Sequence, residues 1–229
     1  MTTPEAPGRE RLLRALIRTQ AISGLLMALF LTLHLGNAVL ALAGPAAYDG
    51  ALALLRRLYQ TPVAEVLLFV VIAVHAGAGW WRYAAFHRDK PAKAAPTKAH
   101  RIIGRVLSVV VILHILGTRL PAWVGGLEVD MSFSTFALEN YGLFFYPYYL
   151  ALFTAGAYHL IRGVQVAAGA LKLDLPRPWL RLSPKGARRL TLGLLATGLL
   201  VVLAFGGWFH DIDHARYEAY RAYNAAFFE

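Results

Sequence analysis

The chain has 229 residues, of which 58% are hydrophobic and 16% charged, with a mean hydropathy of +0.49. That is the composition of a membrane protein, and the apolar residues come in blocks. The net charge of +10 follows alternate loops and is not read as a nucleic-acid surface, while the absence of cysteine excludes disulfides, thiolate-held iron–sulfur clusters and covalent cofactor attachment through C-x-x-C-H.

Residues 1–19 form a basic opening with Arg9, Arg11, Arg14 and Arg18, read as a short helix on the cytoplasmic surface. No small-residue cleavage site ends the apolar run that follows, so no cleavable signal peptide is expected. Five apolar stretches then read as membrane spans: Ile22–Leu42, Val63–Tyr83, Ile102–Leu120, Tyr146–Ala168 and Leu190–Phe209. Each is near the ~20 residues that a tilted helix needs to cross a bilayer. The first connection, AGPAAYDGALALLRRLYQTP, has helical apolar spacing between two prolines and reads as an interfacial helix. The second, HRDKPAKAAPTKAHR, is a charged loop, the third is long, acidic and aromatic, and the fourth, LKLDLPRPWLRLSPKGARR, is basic again. The tail, residues 210–229, reads as an external amphipathic helix.

Lysine and arginine gather in the opening and in the second and fourth connections, which share one side of the membrane. The positive-inside rule places that side, and the N-terminus, in the cytoplasm and the C-terminus outside. The expected fold is therefore all-α: an integral membrane bundle of five transmembrane helices forming one domain, with the bundle over residues 20–209.

Each of the first four spans carries one histidine: His34, His75, His114 and His159. An ionisable side chain inside a bilayer is costly and points to function. At 1.5 Å rise per residue, His34 and His114 lie about 20 Å from the cytoplasmic ends of their helices, and His75 and His159 about 5–10 Å from theirs. Depth thus pairs His34 with His114 and His75 with His159. Neutral imidazole offers a lone pair to iron, and two such ligands fill both axial positions of a haem, which favours electron transfer over oxygen chemistry. Two b haems stacked across the membrane are the expectation; interhelical hydrogen bonding or proton relay is the rival for any single histidine.

Gly79 and Gly163 each follow a histidine by four residues, so they leave room on its face, either for haem packing or for close helix contact. Haem propionates need cations. Arg82, Arg101, Arg105 and Arg162 are candidates near the inner surface and Arg119 near the outer one. A snorkelling interfacial role fits each of these arginines as well. His87 and His100 are expected in the solvated cytoplasmic loop, and His210 and His214 of HDIDH as solvated external residues rather than metal ligands.

These pieces together resemble a known family. LTLHL in the first span, HAGAG in the second, HRIIG followed by His114 and GTR in the third, and HLIRG in the fourth are similar to the five-helix, di-haem cytochrome b subunit of succinate dehydrogenases and fumarate reductases. The resemblance runs from Gln20 to about Phe209, with no ligand in the fifth span, as in that family. It implies a multi-pass protein of the bacterial cytoplasmic membrane, with His75 and His159 on a proximal haem and His34 and His114 on a distal one. It implies a flavoprotein with covalent FAD and an iron–sulfur subunit docked on the cytoplasmic face, and electron transport between succinate or fumarate and menaquinone or ubiquinone, as in the tricarboxylic acid cycle. The family's quinone site near the distal haem makes Tyr48, Asp49, Tyr59, Gln60, Arg119 and Trp123 candidates here. Some fumarate reductases carry a glutamate two residues before the fourth-span histidine, as a proton path. Ala157 stands there, which points to electrogenic turnover. Lipid, quinone and further copies of the complex are the other expected partners. The rivals are a cytochrome b of another quinone-linked dehydrogenase, and a haem-free anchor or transporter.

Overall fold

The structure, a computed structural model, describes residues 7–86, 95–174 and 183–228. His87, Arg88, Lys90, Lys93, Arg177 and Arg181 lie outside the described residues, so the loop positions expected for them are not addressed.

Among the described residues every regular element is helical. In chain order they are α1 (Pro7–Leu40), a 3-10 turn (Ala41–Ala43), α2 (Pro45–Tyr59), α3 (Pro62–Phe86), α4 (Ala95–Trp123), α5 (Met131–Asn140), α6 (Gly142–Leu171), α7 (Pro184–Phe205) and α8 (Tyr217–Phe228). The helix ends follow local chemistry. Gly44, at φ 100°, turns the chain into Pro45, the first residue of α2. The Asp130 carboxylate accepts the Phe133 amide at 3.2 Å to cap α5, and the Ser183 hydroxyl accepts the Gly186 amide at 3.0 Å to cap α7.

Among the described residues, four segments are long and apolar enough to cross a membrane: Gly8–Ala43, Pro62–Phe86, Lys98–Trp123 and Lys185–Phe205. Their outer faces leave large aliphatic residues such as Leu29, Val63, Leu67 and Leu113 exposed. So much exposed apolar surface needs lipid around it. The basic opening is not a separate surface helix, as expected from sequence, because α1 runs unbroken from Pro7 and Arg9 Nη2 donates to the Ala85 carbonyl of α3 at 3.0 Å.

α6 differs from these four. Its 30 residues span about 45 Å at helical rise, yet Tyr146, Tyr148, Tyr149, Tyr158, His159, Arg162 and Gln165 dilute its apolar character. It carries seven buried residues, Ala157 among them, and packs against α1, α4, α5 and α7. α6 thus gives more of its surface to helix packing than α3, where only Ala78 is buried.

The connections α2 and α5 and the tail helix α8 follow the same ends of successive long helices, so they gather at one end of the bundle. Arg216 pairs with Asp130 and, at 2.7 Å, with Glu128, and the Tyr220 hydroxyl reaches Ser132 at 2.9 Å and donates to the Glu128 carbonyl at 3.0 Å. Phe136, Tyr217 and Tyr220 form the apolar heart of this cap. Burial holds the Tyr217 and Tyr220 phenols protonated, above the usual tyrosine range. The opposite end carries Arg9, Arg14, Arg82, Arg101, Arg105, Arg188 and Arg189. These are called below the capped end and the basic end.

Candidate functional site

A cavity of about 640 Å³ runs along the bundle between α1, α3, α4 and α6, within the ~300–1,000 Å³ range of cofactor pockets. His34 on α1, His75 on α3, His114 on α4 and His159 on α6 all line it. The fold brings them together, edge-on, in the pairs that depth suggests. The ring centroids of His34 and His114 are 6.0 Å apart at the capped end, and those of His75 and His159 are 6.2 Å apart at the basic end.

These separations discriminate between chemistries. Two imidazoles sharing a direct N–H···N bond of about 3.0 Å, with about 1.1 Å from nitrogen to ring centre on each side, would have centroids about 5.2 Å apart. Two imidazoles on opposite sides of one metal ion, with metal–nitrogen bonds of about 2.0 Å, would have centroids about 6.2 Å apart. Both observed pairs lie near the second value. The donor set therefore fits two bis-imidazole iron sites.

The hydrogen bonds on the far nitrogens support this orientation. His75 Nδ1 lies 3.1 Å from the Gln20 carbonyl and 3.3 Å from Ser23 Oγ. A carbonyl only accepts, so the Nδ1 proton points there and Nε2 keeps a free lone pair. His114 Nδ1 lies 3.4 Å from the Tyr148 hydroxyl, a longer contact.

His100 departs from the sequence reading. It is not a solvated loop residue but part of α4, lining the cavity with its ring stacked on His159 at 4.3 Å and 9°. Its Nδ1 is buried without a hydrogen-bond partner. The loop reading failed because α4 begins at Ala95, well before the apolar run.

Of the arginines, Arg82, Arg101, Arg105 and Arg119 line the cavity. Arg82 donates to Gln20 Oε1 at 2.6 Å, and Arg105 lies over the Tyr83 ring at 4.3 Å. Arg162 turns back to Gln165 on its own helix. Arg119 is committed to protein partners: Nε donates to Glu65 Oε1 at 2.6 Å, a second nitrogen reaches Gln60 Oε1 at 3.5 Å, and the group lies over Trp123 at 5.1 Å. Gly79 and Gly163 line the cavity too, but a Cβ there would meet the Gln20 amide at 2.8 Å and His100 at 3.8 Å, respectively.

Tyr48, Tyr59, Gln60 and Arg119 border the capped-end part of the cavity. Tyr59 stands edge-on to Phe30, which stacks on His34, so an aromatic column links the polar cluster to the histidine pair. Trp123 does not line the cavity itself and joins through Arg119 and the cavity-lining Phe69. Asp49 is placed elsewhere: its carboxylate accepts the Met131 amide at 2.9 Å and ties α2 to α5. Burial raises its pKa, opposed by that amide and by Arg56. Sequence reasoning missed Glu65, whose carboxylate lines the cavity opposite Arg119. A glutamate in the first turn of a span reads as an ordinary helix-start acid, and only the fold shows its partner.

His210 and His214 diverge. His210 Nε2 contacts the Leu42 carbonyl at 3.0 Å and its ring packs on Gly44, so it is a structural tie rather than a solvated residue. His214 lies 3.5 Å from Glu139 and stacks on Tyr217.

Comparison with known protein families, with curated proteins and with solved structures finds no match. The functional argument therefore stands on the geometry above.

Proposed function

We propose that the protein is the di-haem cytochrome b membrane subunit of a succinate dehydrogenase or fumarate reductase, passing electrons between an iron–sulfur subunit and a quinone. The observation that carries this reading is the meeting of two imidazoles at each end of one cavity inside the bundle, with room between the rings for a metal ion. In this reading α6 is the fourth of five spans, the basic end faces the cytoplasm of a bacterial cell, and the capped end faces outward.

Two b haems held there supply a one-electron relay across the apolar layer. The residues around them do the rest. His75 is fixed in its tautomer by the Gln20 carbonyl, and Arg82, Arg101 and Arg105 offer positive charge for propionates at the basic end. The same basic end suits docking of the iron–sulfur and flavin-bearing subunits. Near the other pair, Arg119, Glu65, Gln60 and Tyr59 form the polar wall of a quinone site. There Glu65 is placed to exchange a proton with a quinone oxygen while Arg119 holds its carboxylate in place. Ala157 is buried and puts no carboxylate beside His159, so electrons crossing the bundle are not matched by a proton path at that position.

The test is purification of the tagged chain from its native membrane. A co-purifying iron–sulfur protein and a protein carrying covalent flavin, with succinate:quinone activity, are expected. A molybdenum- or nickel-containing partner instead would move the subunit to another quinone-linked dehydrogenase.

A further inference from the structure

Each basic-end imidazole rests one edge against main chain on a neighbouring helix. A Cβ added at Gly24 of α1 would lie 2.9 Å from His75 Cε1 and 3.3 Å from its Nδ1. A Cβ added at Gly104 of α4 would lie 2.8 Å from His159 Cε1 and 3.4 Å from its Nδ1. Carbon atoms in ordinary contact sit about 3.5–4.0 Å apart. The same edge of each ring is thus backed by a glycine on the neighbouring helix. On the α1 side the contact is reinforced: the Gln20 carbonyl and the Ser23 hydroxyl, in the turn that holds Gly24, both reach His75 Nδ1. The capped-end pair has no such support, since a Cβ at Gly36 of α1 or Gly117 of α4 would meet nothing within 4 Å.

Both seats stand in one register. Gly24 precedes His34 by ten residues on α1, and Gly104 precedes His114 by ten on α4. That spacing is about 15 Å along a helix axis.

We infer that Gly24 and Gly104 are positioning residues for the basic-end haem: the two helices that supply the ligands of one haem set the ring positions of the ligands of the other. The inference rests on the di-haem reading and deepens it. A methyl group at either glycine has to displace the imidazole, and the opposing ring of the pair lies only 6.2 Å away, centroid to centroid. The ring then shifts or rotates out of line with its partner. Helix propensity works the other way, because alanine stabilises a helix relative to glycine by about 1 kcal/mol. Damage from these substitutions therefore reports the seat rather than a weakened helix.

The experiment compares Gly24→Ala and Gly104→Ala with Gly36→Ala and Gly117→Ala as controls on the same two helices. Haem per chain is quantified, and the oxidised protein is examined by low-temperature EPR, where low-spin signals respond to axial ring orientation. His75→Ala marks which component belongs to the basic end. Each seat variant is expected to fall from about two haems per chain toward one, or to keep two with only the basic-end signal shifted. The retained capped-end haem reports an intact fold. Ser23→Ala, which adds no bulk, is expected to shift the basic-end signal alone. Seat variants with two haems and unshifted signals would overturn the inference, as would loss of both haems or of the capped-end haem. A wild-type protein without haem would instead overturn the functional reading beneath it.

Discussion

The two histidine pairs share a spacing but not a surrounding. At the basic end, each ring has one edge against main chain, at Gly24 or Gly104, a backbone carbonyl accepts from His75, and His100 stacks on His159. At the capped end, side chains surround the rings: Phe30 stacks on His34, Tyr148 contacts His114, and a polar cluster around Arg119 lies beyond. The first arrangement tolerates little change in shape. The second has more freedom in shape and more polar chemistry beside it. That division suits a relay whose inner end meets a fixed protein partner and whose outer end admits a small molecule.

The largest effects should come from the ligands themselves. His75→Ala or His159→Ala should remove the basic-end haem and leave the other, while His34→Ala or His114→Ala should do the reverse, giving about one haem per chain in each case. Haem quantification with difference spectra reads this directly. Two members of one pair that lose different haems would break the pairing.

Next in size is the polar cluster at the capped end. Glu65→Gln should lower quinone-linked turnover by about a hundredfold, the lower range for a lost proton-transfer group, with both haems retained. Arg119→Ala should do likewise and also leave the Glu65 carboxylate unpaired. Steady-state assays with a soluble quinone, read beside the haem content, separate this from a haem defect. Normal turnover in Glu65→Gln would place the quinone elsewhere along the cavity.

The cap should affect stability rather than electron transfer. Asp130 caps α5 and pairs with Arg216, so Asp130→Ala should cost roughly 1–3 kcal/mol in stability, with unchanged haem spectra. Thermal unfolding in detergent measures it. A spectral change would mean that the cap reaches further into the site than its contacts suggest.

The smallest effect is expected at Tyr148. Its contact with His114 is long, so Tyr148→Phe should move the capped-end potential by on the order of 20–40 mV, the one-electron equivalent of roughly 0.5–1 kcal/mol. Redox titration would sharpen the contrast between the pairs if the basic-end component stays put.

Sequence made legible what depends on one helix at a time. The apolar runs mark the long helices, and the positions of His34, His75, His114 and His159 along them give the pairs that the fold places together. The amphipathic spacing of the first connection and of the tail is matched by α2 and α8. What depends on rotation and neighbours was not legible. His100 looked like a loop residue until α4 proved to start at Ala95, and Glu65 gains significance only through Arg119 across the cavity. Gly79 and Gly163 stand out by sequence spacing, whereas Gly24 and Gly104 touch the rings, because a glycine makes room for the helix opposite and not for its own. The polar residues of α6, His159, Arg162 and Gln165 among them, likewise take their meaning from the helices packed around them.

The most direct test of the central claim is a dithionite-reduced minus oxidised visible spectrum of the purified chain, with haem quantified per polypeptide. The account predicts about two low-spin b-type haems per chain, as bis-imidazole ligation at both ends requires. A folded, natively expressed preparation without haem would contradict it and leave the four histidines to interhelical bonding or proton transfer.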